Sequence, residues 1–180
     1  MPHYQLRCEM TVPKPIEEVF KVFENPYNLA ILTPPWLHFL VTSKEKVEMQ
    51  RGAEIDYRFR WLGIPMHWRT RITAYDPPFL FVDEALRSPY NFWRHRHTFE
   101  SVDGGTLVRD SVEYALPAGL IGRLAHAFAV RWNLITIFTF RQKALDRLWG
   151  GGSHIVWPTV RWIALLPSVQ GTASREDRSH

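Results

Sequence analysis

The decapeptide NFWRHRHTFE, residues 91–100, puts two histidines two positions apart. At the two-residue period of a strand, Trp93, His95, His97 and Phe99 share one face. Phe92, Arg94, Arg96, Thr98 and Glu100 share the other. Two imidazoles therefore stand between a Trp and a Phe on the face that packing would turn inward. An imidazole there becomes a general base when a carboxylate holds its second nitrogen. The next strand offers that carboxylate. A hairpin turn at Asp103-Gly104 sets His97 opposite Asp110 and Trp93 opposite Tyr114. A turn at Gly104-Gly105 makes Asp110 a diagonal neighbour of His97 and sets Glu100 opposite Arg109. In either register an Asp lies near a His, on a face shared with Val108, Val112 and Tyr114.

Asp83 and Glu84 are consecutive on another strand, so one of them points inward. An unpaired buried charge costs several kcal/mol, so that carboxylate needs a partner. Arg141, His95 and Tyr90 are candidates. Arg141 lies in a helical stripe with Leu134, Phe138 and Leu145, which aims its head inward. The predicted polar cluster is His95, His97, Asp110, one of Asp83 and Glu84, Tyr57, Tyr114 and Arg141. His-x-His with a nearby carboxylate also suits a divalent ion. No third His is evident in the same layer, since His67 falls on the outer face with Arg69, and neither metal nor cofactor is assigned. The plain structural alternative is that Asp and His satisfy each other and stiffen the sheet. No glycine-rich phosphate loop, dinucleotide fingerprint or G-x-S-x-G is present. Cys8 reads as an inward core residue.

The elements that must hold these groups follow from periodicity. Tyr4, Leu6, Cys8, Met10 and Val12 alternate as a first strand, ended by Pro13 and Pro15. Ile16, Val19, Phe20 and Phe23 recur at helical spacing after Pro15. Asn25-Pro26 caps a second short helix, running to about Thr33. A strand is expected around His38–Glu48. In EIDYRFRWLGIPMHWRTRI (54–72), a turn at Leu62-Gly63 pairs Asp56 with Arg69, Glu54 with Arg71 and Tyr57 with Trp68. Further strands cover Phe79–Leu86, the opening decapeptide and Thr106–Ala115. From Pro117 the period becomes helical through Leu120, Leu124, Phe128, Leu134, Ile135, Phe138, Leu145 and Leu148, with a kink expected at Gly122. Gly150-Gly151-Gly152 stops this helix. An antiparallel sheet with segregated helices is α+β. A curved sheet wrapped on one long helix leaves an apolar cavity.

The 180 residues, 46% hydrophobic and 14% aromatic, favour one domain with a large core. We assign residues 1–150 to that domain and 151–180 to a tail, apolar through HIVWPTVRWIALLP and disordered in GTASREDRSH. The tail has three placements open to it: a membrane surface, a partner protein, or an exposed edge strand. The outer sheet face carries Arg58, Arg60, Arg69, Arg71, Arg94 and Arg96, with Asp56, Glu54, Glu100 and Glu113 among them. A salt-bridged, solvated face fits this better than a nucleic-acid surface, and the formal charge of +4 is mild. The first ten residues lack the apolar core of a signal peptide. Leu124–Phe140 is interrupted by His126, Arg131 and Asn133, so no transmembrane segment is predicted. One cysteine excludes an internal disulfide. Cytoplasmic location is the expectation.

The order of elements resembles the helix-grip fold of the SRPBCC superfamily, which joins START domains, polyketide cyclases and birch-pollen-allergen-like proteins. The likeness covers roughly residues 3–149. PPWLHF (34–39), IPMHW (64–68), DPP (76–78), the run 81–100, GGTLVRDSVEYALPAG (104–119) and IFTFR (137–141) resemble a bacterial ligand-binding or cyclase-like branch. The resemblance implies a cavity for an apolar small molecule between sheet and long helix, without implying a reaction. Three functions stay open. One is binding of an apolar or aromatic ligand by Tyr57, Phe59, Trp68, Tyr90, Trp93, His95, His97, Asp110, Tyr114, Phe138 and Arg141. Another is a cyclase or dehydratase in which His97, oriented by Asp110, takes a proton and Arg141 or Tyr114 stabilises the oxyanion. The third is an interaction module whose cavity is filled by side chains.

Overall fold

The computed structural model describes residues 3–61, 63–117 and 129–163. β1 (His3–Val12) leads to α1 (Ile16–Glu24), then to a 3-10 turn at Pro26–Asn28 and α2 (Leu29–Leu32). A second 3-10 turn, Pro35–Leu37, precedes β2 (Leu40–Val41). Then come β3 (Glu54–Trp61), β4 (Ile64–Asp76), β5 (Leu80–Arg87), β6 (Phe92–Val102) and β7 (Gly105–Ala115). α3 (Arg131–Leu148) and β8 (His154–Ile163) complete the order. All the strands form one eight-stranded antiparallel sheet, β2-β3-β4-β5-β6-β7-β1-β8.

Alternation fixes which face of each strand is inside. β1 buries Tyr4, Leu6, Cys8, Met10 and Val12, and β7 buries Thr106, Val108, Asp110, Val112 and Tyr114. The β3–β4 register sets Glu54 against Arg71, Asp56 against Arg69 and Tyr57 against Trp68. β6 and β7 adopt the Asp103-Gly104 register, with His97 opposite Asp110 and Trp93 opposite Tyr114. Glu100 faces Leu107, yet Arg109 Nη1 reaches it diagonally and donates to Oε2 at 2.7 Å. The ion pair that favoured the other register thus forms without it. Gly105 is required at the end of this hairpin: a Cβ there would stand 1.9 Å from the Val12 carbonyl oxygen.

The strand expected over His38–Glu48 shrinks to Leu40–Val41. Its continuation is taken over by side-chain and loop contacts. The Asp56 N–H donates to Ser43 Oγ at 3.0 Å, and the Thr42 N–H to the Asp56 carbonyl at 2.8 Å. Beyond them the charged run Lys44-Glu45-Lys46 stays in solvent. Residues 154–163, which we separated from the domain, form β8 along the edge of β1, the third of the placements left open. A register shift between Arg7 and Glu9 accommodates Pro158, which is buried at that irregularity. The Gln142 amide fastens this seam from α3, donating to the carbonyls of Glu9 at 2.9 Å and Val156 at 3.0 Å. The early half of the long helix (118–128), the turn residue Leu62 and residues 164–180 of the tail lie outside the described residues.

α3 packs on β1, β8 and α2. One core cluster joins α1 to β1, β5, β6, β7 and Leu145, with Phe20, Phe81 and Phe99 at its centre. A second joins Leu134 and Phe138 of α3 to Leu6, Cys8, Val112 and Tyr114. A third, Ile55, Tyr57 and Ile72, sits on β3 and β4, with Phe39 and Trp68 against it.

Candidate functional site

Between α3, the α1–α2 corner and the concave side of β3–β6 lies a hollow of about 430 Å³. Its size is that of a small-molecule site. Tyr57, Phe59, Trp68, Tyr90, Trp93, His95, His97, Phe138 and Arg141 line it. Asp110 and Tyr114 stand behind the wall rather than on it. Tyr114 is fully buried, in ring contact with Tyr4, Tyr90 and Trp93. Asp110 lies beneath the two imidazoles. Trp68, Tyr90 and Trp93 meet edge-on or tilted, with ring centroids 4.9–5.7 Å apart.

Sequence reading missed Phe23, Leu29, Leu37 and Phe39, which the first helices and turns fold over the opening. Those residues carried a core signal and no sign of which core. It also missed Asn133 and Ile137 on α3, although both precede Arg141 at i+4 steps and so share its face.

The polar floor is made by adjacent strands. β5 turns Asp83 inward and leaves Glu84 outside, 3.3 Å from Arg94. β6 supplies His95 and His97, whose rings lie 3.8 Å apart. Asp110 Oδ1 takes His95 Nε2 at 3.1 Å and His97 Nδ1 at 2.7 Å. The first of these is an aligned hydrogen bond, and the second is a close ion-pair contact off the hydrogen-bond axis. Asp83 Oδ2 stands 3.7 Å from His95 Nδ1 and 3.7 Å from His97 Nε2. Thr70 Oγ1 donates to Asp83 Oδ1 at 3.1 Å, and Cys8 Sγ approaches Asp110 Oδ2 at 3.9 Å. Phe81 stacks on His97 with centroids 4.2 Å apart, and Phe138 meets His95 edge-on. Asp83 thus has His95, His97 and Thr70 as its neighbours. Arg141 and Tyr90, the other partners considered, are not within ion-pair or hydrogen-bond reach of it among the described residues.

Burial and charge divide the two imidazoles. Burial, then the charge of His97, pushes His95 down to about 4. For His97, burial acts downward, but the Asp110 charge, its contact and the Asp83 carboxylate outweigh it and hold the ring above its ordinary value. Burial raises Asp110 less than the His97 charge and the His95 contact lower it, so it lies well below the usual carboxylate range. Asp83 is lowered too: contacts with the two imidazoles and Thr70 overcome burial. The two carboxylates are held ionised, and the two imidazoles are pushed in opposite directions. Burial, then the Asp110 charge, pushes the Cys8 thiol far up, so it stays protonated and is no nucleophile.

Arg141 enters the hollow from α3. It is 7% exposed and lines the hollow, with its guanidinium carbon 4.9 Å from the Phe138 ring centre. Its Nε has no hydrogen-bond partner, and no carboxylate lies within ion-pair distance of it among the described residues.

On the convex face several arginines are paired with carboxylates. Arg69 pairs with Asp56 at 2.8 Å, Arg71 with Glu54 at 2.6 Å, and Arg109 with Glu100 and Glu9 at 2.7 and 3.7 Å. No helix among the described residues is long and apolar enough to cross a membrane.

This architecture is shared with solved structures. Protein CV1439 from Chromobacterium violaceum superposes with a TM-score of 0.62 at 16% identity, covering 82% of this chain and 98% of that one. The ginseng major latex-like protein 151 from Panax ginseng gives 0.61 at 12% identity, covering 83% and 99%. Ara h 8.0201 gives 0.56 at 16% identity, covering 80% and 99%. The fold is therefore an α+β helix-grip fold. No family model matches the sequence, and no curated protein matches it.

Proposed function

We propose that the protein binds an apolar or aromatic small molecule bearing an anionic group, held inside the hollow between sheet and α3. The observation that carries this reading is Arg141. A buried cation facing an aromatic chamber, with a donor unused, is the complement of a carboxylate or phenolate on an otherwise apolar ligand. Tyr57, Phe59, Trp68, Trp93 and Phe138 supply the apolar wall, and burial against it contributes about 25 cal/mol per Å² before the costs of binding. The hollow's volume weighs against an interaction module with a filled interior. The protein works in the cytoplasm on this reading, its single buried cysteine needing no oxidising compartment.

The enzymatic alternative keeps one support, the 2.7 Å contact that orients His97 through Asp110. Against it, His97 Nε2, the nitrogen left to take a proton, already faces Asp83.

Native mass spectrometry of the purified protein is the first test, with co-purified organic anions as the expected species. Affinity is then measured in chelator, by quenching of Trp68 and Trp93 fluorescence, for an aromatic carboxylic acid and its primary amide. Arg141→Met weakens the acid by about 10- to 100-fold, the loss of one charged hydrogen bond, and leaves the amide unchanged. Equal affinities of wild type and variant for the acid overturn the reading.

A further inference from the structure

Three donor atoms converge on the floor of the hollow. Asp83 Oδ2 is 3.7 Å from both His95 Nδ1 and His97 Nε2, and the ligating atoms of these three residues all lie within 4.8 Å of one another. The remaining ring nitrogens, His95 Nε2 and His97 Nδ1, both turn to Asp110 Oδ1. One carboxylate thus fixes two imidazoles from behind, and Thr70 fixes the carboxylate in front.

We propose that Asp83, His95 and His97 bind one divalent first-row transition ion, and that Asp110 is the positioning residue for both imidazoles. Bonds of about 2.0–2.2 Å to nitrogen and oxygen give a tetrahedron with edges of about 3.3–3.5 Å. The two Asp83 separations of 3.7 Å need to close by only a few tenths of an ångström, and the third edge, between the two imidazoles, lies within 4.8 Å and closes by a side-chain adjustment. Two imidazoles select a transition ion over calcium or magnesium, which take oxygen ligands. Three protein ligands on the cavity wall leave the ion an open position facing the chamber. A ligating histidine ordinarily gives its second nitrogen to a carboxylate, and Asp110 Oδ1 takes His95 Nε2 in this way and stands 2.7 Å from His97 Nδ1. Charge agrees as well. Asp83 and Asp110 together neutralise a divalent ion, which leaves Arg141 for an anionic ligand. Ligand binding as proposed above needs no ion, so either reading can fail alone.

The test is titration of chelator-treated full-length protein with Co²⁺, followed by visible absorption, then displacement by Zn²⁺. One ion per chain is expected, with ligand-field bands that Zn²⁺ abolishes. Asp83→Asn and His97→Gln each weaken uptake by about a hundredfold or more, and Asp110→Asn, which removes no ligand, by about 10- to 100-fold with altered bands. His67→Ala, on the outer face, changes nothing. Circular dichroism establishes that each variant is folded. If the His97 variant is not, the wild-type titration and Asp83→Asn still decide. No uptake by the wild type, or uptake that survives Asp83→Asn and falls with His67→Ala, overturns the proposal.

Discussion

The quoted decapeptide owes its two inward imidazoles to Asp110 and Asp83, and the pair's titration is the most direct check on that. His95 is held down to about 4 while His97 is held above its ordinary value. Between pH ~4 and ~6.5 the unfolded chain protonates His95 and the folded one does not, so stability rises with pH there. Above ~6.5 the folded chain keeps the His97 proton that the unfolded chain gives up, so stability falls through the folded pKa of His97. Below about 4 the lowered carboxylates add a further acid loss. The cluster's contribution to stability therefore peaks near pH ~6.5. Denaturant midpoints measured across pH in chelator should show that maximum, and Asp110→Asn should remove the alkaline decline. That substitution leaves the imidazolium short of its counter-charge and should cost about 3–5 kcal/mol near the maximum. Much of the site was legible at this scale, because a strand's period assigns inward residues without further information. The lining supplied by the first helices and turns was not, and neither was the allotment between wall and backing. Asp110 and Tyr114 are inward by period, and nothing in a one-dimensional pattern says that His95, His97 and Trp93 stand in front of them.

At the scale of elements, the strands, α1 and the described part of the long helix followed from pattern, and the exceptions have physical reasons. β2 stops after Val41 because Ser43 Oγ accepts from the backbone of β3 in place of a strand carbonyl. β8 was readable as apolar but not as a strand of this sheet. Its partner lies at the other end of the chain, and Pro158 breaks the ladder pattern that would have announced it. Gln142 was missed because a buried amide on a helix carries no apolar signal, yet it ties α3 to both β1 and β8. Gln142→Leu leaves the carbonyls of Glu9 and Val156 without this donor and should lower stability by about 1–3 kcal/mol. Hydrogen exchange should show the loss first in the amides of β8, ahead of β3–β6. Equal acceleration throughout the sheet would show that Gln142 is not a local clasp.

For the molecule as a whole, charge and apolar surface are sorted onto opposite sides of one sheet. The concave side keeps its charges few. The convex side spreads ion pairs that are exposed and individually worth little. Carboxylates interleaved with the arginines break up the positive charge of the convex face, so duplex DNA should not be retained by the protein at physiological salt in a mobility-shift assay. A salt-sensitive complex in that assay would show that Arg58, Arg60 and Arg96, for which no ion pair is formed among the described residues, act together.

The place of β1 between β7 and β8 has a consequence for how the protein is made. Gln5 of β1 hydrogen-bonds Ser111 of β7, 106 positions later in the chain. At a synthesis rate of about 5–20 residues per second, the first strand waits roughly 5–20 s before that neighbour has left the ribosome, and longer for β8. Throughout that interval Leu6, Cys8, Met10 and Val12 are a bare greasy ribbon. The nascent chain is then a client for whatever shields such ribbons in the cell.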